Sequence, residues 1–179
     1  MDLSKLDGNY NNECESSLTQ ADNLIKAGQI QAGFELLLKI LQYNPTFGKA
    51  YNYLGWIYET QYQNYNYAEE CYNQAIKYAS DYSPTYLNYA YLLSSSGRFD
   101  ELKAHLDKAL TIANISKDKV YNLYAYMSEV QQNLEAAMNY YTKAAMNALD
   151  TNTVTYCKEA INRCKMKLEL KNSIELGFL

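Results

Sequence analysis

Side chains that could support catalysis or bind a metal are few in this sequence and stand far apart. The chain of 179 residues has a single histidine, His105, and four cysteines. No second histidine and no closely spaced cysteine completes a zinc site. The acidic pairs Glu69-Glu70 and Asp100-Glu101 open predicted helices, where negative charge favours the helix dipole. Nothing apolar encloses them as a catalytic carboxyl requires. The residues therefore predict a protein that is not an enzyme and has no metal and no cofactor.

The cysteines indicate where the protein works. Cys14, Cys71, Cys157 and Cys164 fall within predicted helices and form no C-x-x-C pair. Reduced, packed cysteines are typical of intracellular proteins. No basic start followed by an apolar run of signal-peptide length is visible, and no stretch approaches membrane-spanning length. We therefore expect a cytoplasmic protein that does not insert into membranes.

The net charge narrows the kinds of partner that the protein can bind. The formal net charge is −4, whereas a nucleic-acid surface needs clustered lysine and arginine. We therefore expect no nucleic-acid partner.

The chain also has 20 tyrosines. We expect most of these rings to fill gaps between helices while their hydroxyls reach the rim.

Two helical patterns joined by a polar turn occupy residues 51–75. In the first pattern, residues three, four and seven positions apart share one helix face: Tyr51, Leu54, Gly55 and Tyr58. The second pattern repeats this spacing with Ala68, Tyr72 and Ala75. Small residues let two backbones approach, and large rings fill the space beside them. The stretch predicts an antiparallel helix pair.

This stretch resembles the tetratricopeptide repeat, whose pattern is an aromatic residue, two residues, Leu-Gly, two residues and Tyr, then Ala-x3-aromatic. Tyrosine replaces the tryptophan of the first position here, and the turn has one extra residue. Equivalent anchor positions recur 34, 35, 34 and 35 residues apart, at Ser17, Tyr51, Tyr86, Val120 and Thr155. The resemblance therefore extends over residues 14–151.

The resemblance and the period together predict an all-α fold. We expect a tetratricopeptide-type α-solenoid of about four helix-turn-helix repeats followed by a C-terminal capping helix. The predicted repeats cover residues 14–47, 48–82, 83–116 and 117–151. Residues 1–13 are polar without a periodic apolar face, so we predict a mobile tail there.

The segment 152–179 is predicted to contain the capping helix and a short tail. One face of this helix is apolar, with Val154, Cys157, Ile161, Cys164 and Leu168. The other face is charged, with Lys158, Glu159, Arg163, Lys165 and Lys167. One apolar face and one solvated face are typical of the terminal cap of a repeat stack.

The resemblance implies a concave groove lined mainly by the first helix of each pair. In this sequence the predicted groove residues are Lys49, Asn52, Trp56, Glu59, Leu87, Asn88, Tyr91, Tyr121 and Asn122. The three aromatic members would form a strip along the groove, as binding surfaces use. The three asparagines would bond the backbone of an extended peptide. The alternative for Trp56 is that it packs beneath a neighbouring helix in the core.

We therefore predict a non-catalytic protein–protein interaction module, an adaptor or scaffold that binds a protein or extended peptide segment in the groove. The alternative is a small dedicated holding chaperone for a secreted or assembling client protein. A chaperone's client should aggregate without it, whereas a scaffold's partner should not. The apolar ends of the stack could also pair two copies into a homodimer.

Overall fold

The computed structural model describes residues 3–175, with side chains from residue 12 to residue 174. Every regular element in this part of the chain is an α-helix, which confirms the predicted fold class. The helices are α1 (Leu3–Lys26), α2 (Ile30–Tyr43), α3 (Gly48–Thr60), α4 (Tyr65–Tyr78), α5 (Ser83–Ser95), α6 (Phe99–Ala109), α7 (Lys117–Val130), α8 (Leu134–Asn147) and α9 (Thr151–Glu175).

The chain divides into two compact units, Met1–Leu92 and Leu93–Leu179, and the boundary falls within α5. In the first unit α1 packs against α2, α2 against α3 and α3 against α4. In the second unit α6 packs against α7, α7 against α8 and α8 against α9. Within each unit, these consecutive helices are thus neighbours in space, as short connections require.

The first helix begins earlier than the sequence predicts. Where the sequence predicts a mobile tail over residues 1–13, α1 instead starts at Leu3. Cys14 and Leu18 are buried in the turns that follow, and adding turns to an existing helix costs far less than starting one. Residues 1–2, and residues 176–179 of the predicted C-terminal tail, lie outside the described residues.

Helices α3 and α4 approach each other closely at Gly55 and Tyr72. A Cβ atom added to Gly55 would lie 2.6 Å from Cε1 of Tyr72. The Tyr72 side chain is fully buried, as are Ala68 and Ala75 on the same helix. The first unit therefore packs small residues against a large ring.

In the second unit, α8 presents a buried face of small residues and one ring, namely Ala137, Tyr141 and Ala144. The apolar face of α9 forms part of the same core cluster, through Cys157, Ala160 and Cys164. Farther along α9, the side chains of Met166, Leu170 and Ile174 are exposed. The homodimer through the ends of the stack stays a prediction.

Residues with a positive φ, in the left-handed region, follow the first helix of several helix pairs. Gly28 has a φ of +78°, and the bonds from Gly28 N–H to Ile25 and from Gln29 N–H to Leu24 form a Schellman motif. Gln132 takes the same role after α7 with a φ of +62°. Its N–H donates a hydrogen bond to the backbone carbonyl of Glu129, and the N–H of Asn133 donates to that of Ser128. A non-glycine residue in this region of φ is strained by contact of its Cβ.

We expect Gly55→Ala to lower the free energy of unfolding by about 1–3 kcal/mol, because the added methyl group meets a ring that is buried on all sides. Gln74→Ala, at an exposed position of α4, is the control and should change stability by less than about 0.5 kcal/mol. Urea denaturation of both variants measures the difference. Equal stabilities would show that α3 and α4 do not touch at Gly55.

We expect Gln132→Gly to raise the free energy of unfolding by about 0.5–1 kcal/mol, because glycine adopts a positive φ without the Cβ contact. The neighbouring variant Gln131→Gly is the matched control, since Gln131 has a φ of −77° and should gain nothing. Thermal and urea melts compare the two. A gain in both variants, or in neither, would contradict the assignment of strain to residue 132.

Candidate functional site

The predicted groove residues divide between three helices. Lys49, Asn52, Trp56 and Glu59 lie on α3, and Leu87, Asn88 and Tyr91 lie on α5 within the first unit. Tyr121 and Asn122 lie on α7 in the second unit. On α3 the four residues are three or four positions apart, so they share one face of the helix.

Lys49 is paired within the chain. Its ammonium lies 2.5 Å from a carboxylate oxygen of Glu15 on α1. It also lies 5.6 Å from the centre of the Tyr82 ring, within the range of a cation–π contact. The charge that the sequence offers to a partner is therefore already compensated by this unit.

The two asparagines of the first unit bond to each other. Nδ2 of Asn88 donates a hydrogen bond of 3.0 Å to Oδ1 of Asn52. Asn52 is only 4% exposed and Asn88 is half-buried. The amide of Asn52 is therefore part of the interior that joins α3 and α5. The expectation that it bonds a partner's backbone does not fit this burial, because a bound segment would have to displace Asn88.

The apolar predicted groove residues of the first unit keep exposed surface. Tyr91 is 44% exposed, and Leu87 is half-buried. Trp56 is half-buried as well and packs against the core cluster that α1, α2 and α3 form. The ring thus contacts the core and still reaches the surface, and its place in a groove stays a prediction.

Glu59 lies at the end of α3 and is half-buried. The hydroxyl of Tyr72 donates a hydrogen bond of 2.7 Å to Oε2 of Glu59. Burial raises the pKa of the Glu59 carboxyl above its ordinary value, and the bond from Tyr72 only partly opposes this. Burial and the same carboxylate together raise the pKa of Tyr72.

In the second unit, Tyr121 belongs to an aromatic group on α7 and α8. Its ring stacks with that of Tyr140 at 6.5 Å between centres, and Tyr140 stacks with Tyr124 at 4.9 Å. The ammonium of Lys143 lies 5.7 Å from the Tyr121 ring and 5.1 Å from the Tyr140 ring. Asn122 is half-buried. Tyr121 is thus supported by packing and by a cation of its own unit.

Glu129 is a buried charged residue that sequence reasoning missed. It is 7% exposed and accepts two hydrogen bonds of 2.8 Å from Arg163. Lys167 donates at 2.7 Å and the hydroxyl of Tyr141 at 2.9 Å. Arg163 and Lys167 therefore bind α7, whereas the sequence places them on a solvated face. The signal was the spacing, since Arg163 follows Glu129 by one repeat period.

In the described part of the chain, no three histidine, cysteine or acidic side chains come together as a metal-binding group. Cys14, Cys157 and Cys164 are buried, Cys71 is half-buried, and all four are thiols. Burial raises the pKa of the Cys71 thiol to about 11. A thiol with a raised pKa is a poor nucleophile at neutral pH. Between residues 3 and 175, no helix has both the length and the apolar character needed to cross a membrane.

Two family models match the sequence. The model for the C-terminal ARM domain of tetratricopeptide repeat protein 21 matches residues 3–86. A tetratricopeptide repeat model matches residues 83–115. No curated protein matches the chain significantly.

Several solved structures have a similar fold. Pseudomonas aeruginosa PilF superposes with a TM-score of 0.78 at 15% identity, and the match covers 94% of this chain and 76% of the PilF chain. TTC0263, a tetratricopeptide-repeat protein of Thermus thermophilus, has a TM-score of 0.67 at 19% identity, with 83% and 81% covered. A point mutant of MamA has a TM-score of 0.58 at 24% identity, with 75% and 77% covered.

Antiparallel helix pairs at a near-constant period, with small residues against buried rings, define an α-helical repeat protein. The family matches and the motif of residues 51–75 narrow this class further. Models of tetratricopeptide-repeat proteins thus match the sequence over residues 3–115, and the fold class of the chain is that of the family's α-solenoids. Repeat proteins of this type in general bind other proteins and are not catalysts. That this chain is not an enzyme stays a prediction.

We expect Glu129 to make the stability of the second unit depend on pH. Its bonds, first of all those from Arg163, lower its pKa from 4.5 to about 2. The unfolded chain then binds more protons than the folded chain between these values. The contribution, about 3 kcal/mol at neutral pH, is fully present above about pH 4.5 and is lost as the pH falls towards 2.

Denaturation of the wild type and of Glu129→Gln at several pH values between 7 and 2.5 measures this contribution. The two curves should differ most near neutral pH and converge in acid. Glu135→Gln, at an exposed position of α8, is the control and should follow the wild type throughout. A difference between wild type and Glu129→Gln that is constant with pH would contradict the lowered pKa.

Proposed function

We propose that the protein is a non-catalytic interaction module, an adaptor or scaffold that holds a segment of a partner protein against the predicted groove residues of the first unit. The observation that carries this proposal is the division of these residues into two groups, polar residues that are bonded within the chain and apolar residues that keep exposed surface. Lys49, Asn52 and Asn88 are bonded within the chain. Trp56, Leu87 and Tyr91 keep apolar surface for a partner.

This division indicates where the affinity comes from. Large rings bury much area and lose few rotamers, which suits them as anchors in an interface. Side-chain amides that already bond each other gain little from a new partner, since one hydrogen bond is exchanged for another. The partner segment is therefore held by apolar contacts to α3 and α5 rather than by the asparagine pair.

A cytoplasmic location is part of the same proposal. Cys14, Cys157 and Cys164 are thiols packed in the cores of the two units. Buried thiols used as small apolar side chains are typical of proteins that fold in a reducing compartment.

A photo-reactive phenylalanine derivative at position 91 tests the interaction in the cells that make the protein. Irradiation should link it to one discrete partner protein. The same derivative at position 65 is the matched control, because Tyr65 is 52% exposed but lies on α4. Equal crosslinking at both positions, or none at position 91, would contradict binding at the predicted groove residues.

With that partner in hand, we expect Tyr91→Ala to weaken binding by about 1–3 kcal/mol, the usual range for an aromatic anchor. Tyr65→Ala should leave the affinity unchanged. Trp56→Ala should lower both affinity and the free energy of unfolding, because the ring also packs against the core. Calorimetry gives the affinities and urea melts give the stabilities. Unchanged affinity in Tyr91→Ala and Trp56→Ala would remove the apolar anchors from the interface.

A further inference from the structure

Glu59 is a carboxylate that no side chain of the described part of the first unit neutralises. It is half-buried, and Tyr72 is its hydrogen-bond partner at 2.7 Å. Among the described residues, Glu59 lies in no ion pair. Lys49, on the same face of the same helix, is already held by Glu15. Taking a charge out of water is costly unless an opposite charge or several donors replace the water. Glu59 therefore lacks a neutralising cation among the described residues.

The second unit contains the same arrangement with the cations present. Tyr141 follows Tyr72 by two repeat periods, and both rings are fully buried on the second helix of a pair. Each hydroxyl donates to a carboxylate in the last turn of the preceding helix, at Glu59 and Glu129 respectively. Glu129 is then bound by a guanidinium and an ammonium, those of Arg163 and Lys167. This tyrosine–carboxylate pair therefore accepts both kinds of cation.

Trp56 lies one turn before Glu59, and residues three apart are neighbours on a helix surface. An indole ring attracts a cation through its face, and a carboxylate adds charge-assisted hydrogen bonds. The two side chains together suit a long basic side chain, whose stem packs on the ring while its head reaches the carboxylate. The net charge of −4 adds a weaker attraction for the same kind of partner.

We propose that Glu59 and Trp56 bind a lysine or arginine side chain of the partner segment. This inference rests on the proposed function and specifies the chemistry of the segment. An acidic or purely apolar segment would leave the Glu59 carboxylate uncompensated beneath it, so the site also discriminates against such segments.

A library of linear decapeptides, acetylated at the amino end and amidated at the carboxyl end, tests the proposal with the full chain. The capped ends ensure that any positive charge comes from a side chain. The wild type should select peptides that share one lysine or arginine position. Glu70→Gln removes an exposed carboxylate of α4 and should select the same peptides. Glu59→Gln keeps an acceptor for Tyr72 and should lose the preference.

Dissociation constants of the selected peptides then give the size of the effect. Glu59→Gln should bind them about tenfold to a hundredfold more weakly, as expected for a hydrogen bond between charged groups. Replacing the basic residue of the peptide by norleucine should cost the wild type as much. The two changes together should cost little more than either alone. The norleucine peptide needs no protein variant, so it decides the matter even if Glu59→Gln folds poorly.

The outcomes separate the two proposals. Peptides that bind without a shared basic position, or equally well to wild type and Glu59→Gln, would overturn the role of Glu59 while the interaction module stands. A folded wild type that selects no peptide would count against the proposed function and against this inference with it.

Discussion

The hydroxyl groups of buried tyrosines constrain the whole structure. Tyr72 and Tyr141 are fully buried, and a buried hydroxyl without a partner costs a large part of a domain's stability. Each finds its partner in a carboxylate on the preceding helix, Glu59 or Glu129. The ring determines how close two helices come, and the hydroxyl determines how they are rotated about their axes. Gly55 follows from this, because its missing side chain makes room for the Tyr72 ring.

The same solution recurs at other tyrosines and explains why so many are tolerated. Tyr89 donates to Glu69 in the first unit, and Tyr124 donates to Asp107 in the second. A phenylalanine would fill the same space without requiring an acceptor, whereas a tyrosine adds a directed bond. The acidic residues of this chain therefore have two uses, since several accept bonds from rings while others remain on the surface.

The features that sequence analysis predicted depend on local spacing. Helices, their pairing and the small position at Gly55 follow from residues three, four and seven apart, and these are confirmed. The early start of α1 was missed because residues 3–13 have no apolar period to announce a helix. The pairs Lys49–Glu15 and Arg163–Glu129 were missed for another reason. Each joins residues 34 positions apart, where the repeat period shows that two polar groups hold equivalent positions in successive repeats but not whether they bond each other.

The Asn52–Asn88 bond bears on how a chain of similar helix pairs keeps its order. Repeats with similar apolar faces can dock out of sequence, and each misplaced docking would be nearly as favourable as the native one. A buried amide on α3 that bonds an amide on α5 disfavours any neighbour that carries an apolar side chain at that position, because the Asn52 amide would then lose its partner. The pair therefore favours the native arrangement of the two adjacent repeats that carry α3 and α5. Deleting residues 48–82 would remove Asn52 and take this partner from Asn88, even if every apolar contact were restored.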